Sequence, residues 1–548
     1  MFLGGLFHDV DTGGHHFASA LIPELLIEPR RADYVSKNDG KFNIFGHRGQ
    51  IGRRWGLYAY DLEWQPIPLG PHRLGHMHTF KSLLLGVSLL AGVATSSAAD
   101  KLSKADLAAA NTLRERALAD QTAWQVVESL TTEVGARPAG SAADKAAIAW
   151  ALRQMEHLGL TNVRAAEVMV PHWIRGEAEC AVLAPYAQNV PVLSLGGSVG
   201  TAPEGIEAET VMVKDIAALA ALPPGAVKDK IVFFSNRMDR TQDGSGYGRA
   251  VPIRTMGPSA AGALGARAVV IRSISTSSDR FPHTGAIRYQ ADVARIPGFA
   301  ISNPDADALE RQFASGKTVR LRLRSTSRDM PPEPSANVIG ELPGTDKSGE
   351  IVVLGAHLDS WDPGVGAIDD GAGVAIMLGA AKLIHELDAK PRRTIRVVLF
   401  ANEEFGTSGS RTYTTAAQAE SARHVLGFEA DFGAGPVWRL SSRVNPAQLP
   451  VVDQIHRALA PLKVARGGNE ANSGADLDGL AQLGMPLLSP DLDGTLYFDV
   501  HHTANDTLAK VDPAALRQSV AAYAISVWLG AQYPGEWENV AAAKPPRR

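Results

Sequence analysis

The sequence predicts an α/β protein: a mostly parallel sheet flanked by helices and interrupted by an inserted β-rich domain. Three observations point there. After Asn337, short apolar runs alternate with helix-length stretches, the rhythm of buried strands joined by crossover helices. Between about residues 172 and 335 that rhythm gives way to short β-rich runs separated by Gly, Pro and Asp turns. The chain has 548 residues, more than one hydrophobic core organises, so two or more folded units are expected.

Taken in order, residues 1–76 are rich in Gly, His and Arg without clear periodicity, and they read as sequence outside the mature protein: an over-extended start or an unstructured leader. Residues 77–99 read as a signal peptide. Met77–Lys81 is a short cationic start, Ser82–Val93 an apolar core too short to span a membrane comfortably, and Ser97 and Ala99 are small residues suited to cleavage. The expectation is an exported protein, periplasmic or secreted, with no stable membrane anchor after processing.

Asp100 to about Gly159 reads as helical, with Trp124, Val127 and Leu130 on one side. The turn Gly135–Ser141 interrupts it, and Ser141 is placed to cap the next helix. The insertion, 172–335, carries the runs Val190–Leu195, Lys230–Phe234, Ala268–Ile271 and Val319–Leu323, and the Pro-rich segment Met330–Pro334 reads as its closing linker. The strand Ile351–Leu354 follows, then a helix over Gly371–Leu387, the strand Thr394–Phe400, a helix from about Ser408 and the strand Val425–Phe428. Helices near Val451–Leu462 and Pro513–Leu529 complete the unit. The main unit is thus expected in two pieces, 100–171 and 336–535, with 536–548 a disordered tail.

Composition narrows the partners. A formal net charge of −4 with 20% charged residues offers no basic field for nucleic acid, and no Lys/Arg run forms a polybasic membrane patch. The single cysteine, Cys180, excludes an intrachain disulfide and a Cys-rich metal cluster. Beside Glu179 and without a cation or helix start, it reads as a small buried hydrophobe.

The chemistry-bearing residues stand just past predicted strand ends, where open α/β sheets place their sites. His357 and Asp359 follow the first strand, Glu403 and Glu404 the second, and Asp431 the third. Asp369-Asp370 opens a helix, and His501-His502 stands near the end. Imidazole nitrogen and carboxylate oxygen suit Zn²⁺, with Mn²⁺ or Co²⁺ as substitutes. Two ions sharing a bridging carboxylate need about two terminal ligands each. His357, Glu404, Asp431 and His502, with Asp369 as bridge, supply them. Asp359 is spaced to accept the second ring N–H of His357.

Each residue alone is ordinary: a His after a strand, an acidic helix start, a turn, a loop imidazole. Five of them in order at strand ends are not. Competing motifs fail. Gly196–Gly200 fits the serine-hydrolase elbow but runs into Pro203 and Gly205 instead of a helix, and there is no His-Glu-x-x-His, Walker loop or dinucleotide fingerprint.

These residues resemble those of the M28 peptidases, and most nearly the carboxypeptidase Q group. The likeness rests on Gly355–Pro363 with Trp361, on Asp369-Asp370, Glu403-Glu404 and His501-His502 before Asp506-Thr507, and on Pro282–Gly285 and Ile296-Pro297 in the insertion. It spans roughly residues 105–530. It implies a zinc-exopeptidase-like fold with a protease-associated-like insertion and two Zn²⁺ per chain. His357 and Asp431 would be terminal ligands of one ion, Glu404 and His502 of the other, and Asp369 the bridge. The residues after the His501-His502 pair assign the ligand role to His502. Glu403 would be general base to a metal-activated water, and Asp359 the residue that orients His357. Asp476 and Tyr497 are candidates for the substrate pocket.

The expected activity is exopeptidase hydrolysis of short peptides, dipeptides with free termini above all. A homodimer is implied by resemblance alone. The alternatives are a broad aminopeptidase, a non-catalytic binding protein on the same scaffold, and a glutaminyl cyclase-like enzyme with one metal.

Overall fold

The structure, a computed structural model, describes residues 101–540. The readings of 1–76, of the signal segment 77–99 and of the last eight residues lie outside the described residues. None of the described helices is long and apolar enough to cross a membrane.

Among the described residues, sixteen strands follow one another. β1 is Thr161–Ile174. β2 (Ala178–Ala184), β3 (Gln188–Val190), β4 (Val192–Ser194), β5 (Ile206–Val213), β6 (Ile231–Phe234), β7 (Ala268–Arg272), β8 (Gly298–Ile301) and β9 (Arg320–Ser325) come next. β10 (Arg328–Leu342), β11 (Lys347–His357), β12 (Arg393–Phe400), β13 (His424–Glu429), β14 (Val437–Arg443), β15 (Ala465–Arg466) and β16 (Leu487–Leu492) complete the set. They form two eight-stranded sheets. One runs β1-β10-β12-β11-β13-β16-β14-β15, and the other, made wholly from the insertion, β3-β2-β9-β5-β6-β7-β8-β4.

In the first sheet β11 is buried along Ile351–His357 because both faces are covered, which is why it reads as a continuous apolar run. Val352 and Leu354 point into one core and Ile351 and Val353 into another, the period-two alternation of a strand. The helix Ala372–His385 covers one face, in contact with the helix Pro513–Gln532, which in turn meets Lys104–Ala119. The Ser141 side chain caps the helix Ala142–His157 through the Asp144 amide, as its position predicts.

The expectation of a mostly parallel sheet holds at the centre and again at the β14/β15 edge. β12, β11, β13 and β16 are mutually parallel, whereas β1/β10, β10/β12 and β14/β16 are antiparallel. Nor is Met330–Pro334 a linker: it lies inside β10, paired with the far half of β1. The prolines are tolerated because β12 pairs only with Val338–Leu342, so this stretch of β10 has one neighbour and a register break near Pro331. β1 and β10 therefore form a ribbon that carries the chain out to the insertion and back.

The insertion is itself α/β rather than simply β-rich. β5 through β8 are parallel, and the Ser302-capped helix Asn303–Ala314 joins β8 to β9. Its helices, such as Gly257–Ala263, carry Gly and Pro that read as turns in sequence. The C-terminal segment stays attached beyond residue 536. Trp537 is buried and donates from Nε1 to Gly530 O at 2.9 Å, and Val540 N donates to Gly484 O at 2.9 Å.

Candidate metal centre

β11 ends on His357. Next to it β12 ends at Phe400, the chain turns through Asn402 in the left-handed region (φ 59°), and Glu403-Glu404 follow. On the other side β13 ends at Glu429, two residues before Asp431. Asp369 lies in the turn that opens the buried helix Ala372–His385. Gly373 is required there: a Cβ would stand 1.9 Å from Ala430 O and 2.3 Å from Asp370 Oδ1, closing the approach between this helix and the Asp431 loop. His502 comes from the loop after Tyr497–Asp499.

These groups converge on Asp369. His357 Nε2 lies 3.2 Å from Asp369 Oδ1 and 3.5 Å from Asp431 Oδ1. His502 Nε2 lies 3.2 Å from Asp369 Oδ2 and 2.9 Å from Glu404 Oε2. His501 Nε2 is 3.6 Å from the same Asp369 oxygen, its ring stacked on that of His502 with centroids 3.4 Å apart. Of the two imidazoles, only that of His502 approaches Glu404. Asp369 thus belongs to two donor sets, one with His357 and Asp431 and one with the histidine pair, each with its atoms within 4.8 Å of one another.

The carboxylates around this centre have separate tasks. Asp370 Oδ2 accepts the His357 amide at 3.0 Å and Oδ1 the Gly373 amide at 3.2 Å. Asp506 accepts the amides of Ile368 at 2.7 Å and Asp369 at 3.2 Å. Asp359 departs from expectation. Its backbone carbonyl, 3.0 Å from His357 Nδ1, meets the ring, while its carboxylate stands 3.7 Å off. That carboxylate instead accepts the amides of Glu403 at 3.0 Å and Glu404 at 3.3 Å. Two otherwise unpaired N–H donors of a turn outcompete one ring nitrogen.

Sequence reasoning passed over Arg137. Fully buried, it donates to the carbonyls of Leu358 at 2.5 Å, Val365 at 2.8 Å and Gly366 at 2.9 Å, tying together the loop that joins His357 to Asp369. The only signal was an arginine within a Gly/Pro turn.

Electrostatics is dominated by crowded acids. Burial, reinforced by Asp431, raises the Glu403 carboxyl well above its ordinary range, and no described residue hydrogen-bonds it. Burial raises Glu404 to about 7, against the pull of His502. Burial disfavours the His502 cation, but Glu404 and Asp369 outweigh it and lift the ring to about 10.

Asp476 and Tyr497 flank the centre but do not line the adjoining cavity of about 280 Å³. Its walls include Asp431, Phe432, Trp438, Arg439 and Asn472. Asp476 is buried, and neither of its carboxylate oxygens is hydrogen-bonded by a described residue. The Tyr497 ring packs on Phe432, Phe498 and His501.

The donor set fits divalent metal. Asp369 Oδ2 and Glu404 Oε1 are buried yet accept no hydrogen bond from the described residues, a costly arrangement unless a cation meets them. Imidazole and carboxylate around an acid shared by two sets suit zinc-like ions.

The pattern of peptidase family M28 matches residues 337–526. The chain is 33% identical to carboxypeptidase Q of Bos taurus over 407 residues, 74% of this chain and 84% of that protein. It is 27% identical to aminopeptidase YwaD of Bacillus subtilis over 341 residues, 61% of this chain and 66% of that protein. The crystal structure of a peptidase M28 precursor from Shewanella amazonensis superposes with TM-score 0.77 at 43% identity, covering 81% of this chain and 99% of that one.

Proposed function

Because the chain belongs to peptidase family M28 and is a metallopeptidase close to carboxypeptidase Q, we propose that it is a co-catalytic di-zinc exopeptidase of short peptides, dipeptides with free termini foremost. One observation carries the reading: the two oxygens of Asp369 each lie 3.2 Å from a different imidazole, His357 and His502, the arrangement of a bridging carboxylate.

His357 and Asp431 would hold one ion, Glu404 and His502 the other, and Asp369 both. Zinc so held supplies Lewis-acid polarisation of the peptide carbonyl and an acidified water. The chain's own residues do the rest. Asp359 fixes the turn that aims Glu403 inward. Glu403, in a site that raises its affinity for a proton, takes one from the attacking water and returns it to the departing amine. The cavity beside Asp431 offers room for a substrate side chain. Asp476 and Tyr497, close to the centre, are proposed to shape the ends of the substrate.

The inserted sheet is proposed to be protease-associated-like, the protein to be exported through residues 77–99, and residues 1–76 to be absent from the mature chain. Likeness to an aminopeptidase supports a second reading, a broad aminopeptidase using the same centre.

Elemental analysis with a peptide panel tests the proposal. Two zinc ions per chain, activity lost to chelator and restored by Zn²⁺, and preference for free dipeptides over N-blocked or long peptides are expected. Faster cleavage of long peptides would favour the aminopeptidase. Full activity in strong chelator would overturn both.

A further inference from the structure

We propose that Thr284 and Arg254, both from the insertion, are positioning residues for His502, so that the insertion is a working part of the metal centre; this rests on the di-zinc reading above. Thr284 holds His502 at two points. Its amide donates to His502 O at 3.0 Å, and its carbonyl, 3.3 Å from His502 Nδ1, meets the ring nitrogen turned away from Glu404 and Asp369. A ligand imidazole whose second N–H is held by a carbonyl is fixed in tautomer and orientation. His502 needs such a hold because it sits in the left-handed region, at φ 62°, where a histidine is strained.

Arg254 holds Thr284. Its Nη1 donates to Thr284 O at 3.3 Å and its Nη2 to the Tyr247 hydroxyl at 2.7 Å. The Tyr247 ring in turn meets His501 edge-on at 5.2 Å. Arg254 is 7% exposed, and a guanidinium is costly to bury beside a cation-binding centre. Its placement is nevertheless built in: a Cβ on Gly285 would stand 2.2 Å from Arg254 Nη1, and Gly285 has φ 125°, so glycine is needed for the approach.

A second cation anchors the same residue. Arg175, 8% exposed, donates to Thr284 Oγ1 at 2.8 Å and through Nε to both oxygens of Asp362 at 2.9 Å. Asp362 belongs to the loop that follows His357. Thr284 is therefore the junction at which the insertion grips the loops of both ligand histidines.

The test is zinc affinity of the full chain, stripped and titrated with Zn²⁺ against a chromophoric chelator. In Arg254→Leu one of two binding events should weaken about 10- to 100-fold, the range for loss of an outer partner of a metal ligand, while the other stays within about twofold. His502→Ala should abolish that same event. Arg254→Lys keeps the charge but cannot reach Thr284 and Tyr247 together, and should fall between; it also serves if the leucine variant fails to fold. Arg237→Leu, which removes an exposed ion pair with Asp307 and Glu310, should change neither event. Folded Arg254 variants with both affinities at the wild-type value, or with both reduced equally, would overturn the inference. A wild-type chain that takes up no zinc would instead overturn the proposed function.

Discussion

Asp359 holds Glu403 by its backbone: the Asp359 carboxylate accepts the Glu403 amide at 3.0 Å and leaves the His357 ring to its own carbonyl. Its effect should therefore appear in turnover before it appears in metal binding. Asp359→Ala should lower kcat about 10- to 100-fold with zinc affinity reduced less, and Asp359→Asn, which keeps one acceptor, should recover part of the rate. Steady-state kinetics beside chelator competition checks this. A variant that loses metal in proportion to rate would return Asp359 to the role of ring orienter.

Glu403→Gln keeps every proposed ligand and the Asp359 contact, which is to the main chain. Zinc content and thermal stability should match wild type, while kcat falls about 10²- to 10⁴-fold, the usual contribution of a general base. Activity within tenfold of wild type would remove Glu403 from that role.

Zinc uptake should release protons. Burial works against a charged His502, but Glu404 and Asp369 bring its pKa to about 10, so the ring carries a proton at pH 7 that coordination must displace. A pH-stat titration at pH 7 should record at least about one proton per chain, the His502 share declining as pH rises through 10. In His502→Ala this share should vanish. Proton release unchanged by that substitution would contradict the assignment.

Away from the centre, Asp144 should make stability fall with rising pH. Burial raises its carboxyl from 3.8 to about 6, although it accepts the Gly140 amide at 2.9 Å and the Ser335 hydroxyl at 3.0 Å. The folded state thus binds the proton more tightly than the unfolded chain. The resulting stabilisation is complete below pH 4 and lost between about pH 4 and 6, a difference of about 3 kcal/mol. Denaturant unfolding of Asp144→Asn should lack that slope. A wild-type profile in the variant would show the titration to lie elsewhere.

The sequence by itself determined the chemistry and the central scaffold. The runs that became β11, β12 and β13 are legible because strands buried on both faces need unbroken apolar stretches, and the candidate ligands His357, Glu404 and Asp431 follow at their ends. It also carried the family, through short motifs such as Asp369-Asp370 and Glu403-Glu404. Only the tertiary structure decided which partner each polar group takes. Whether Asp359 serves a ring or two amides, why Arg137 can be buried, that Met330–Pro334 is strand rather than linker, and that Thr284 reaches His502 across 218 positions all depend on neighbours distant in the chain. Hydrogen bonds are short-ranged and directional, so their pairing is fixed only once the sheets have brought their donors and acceptors together.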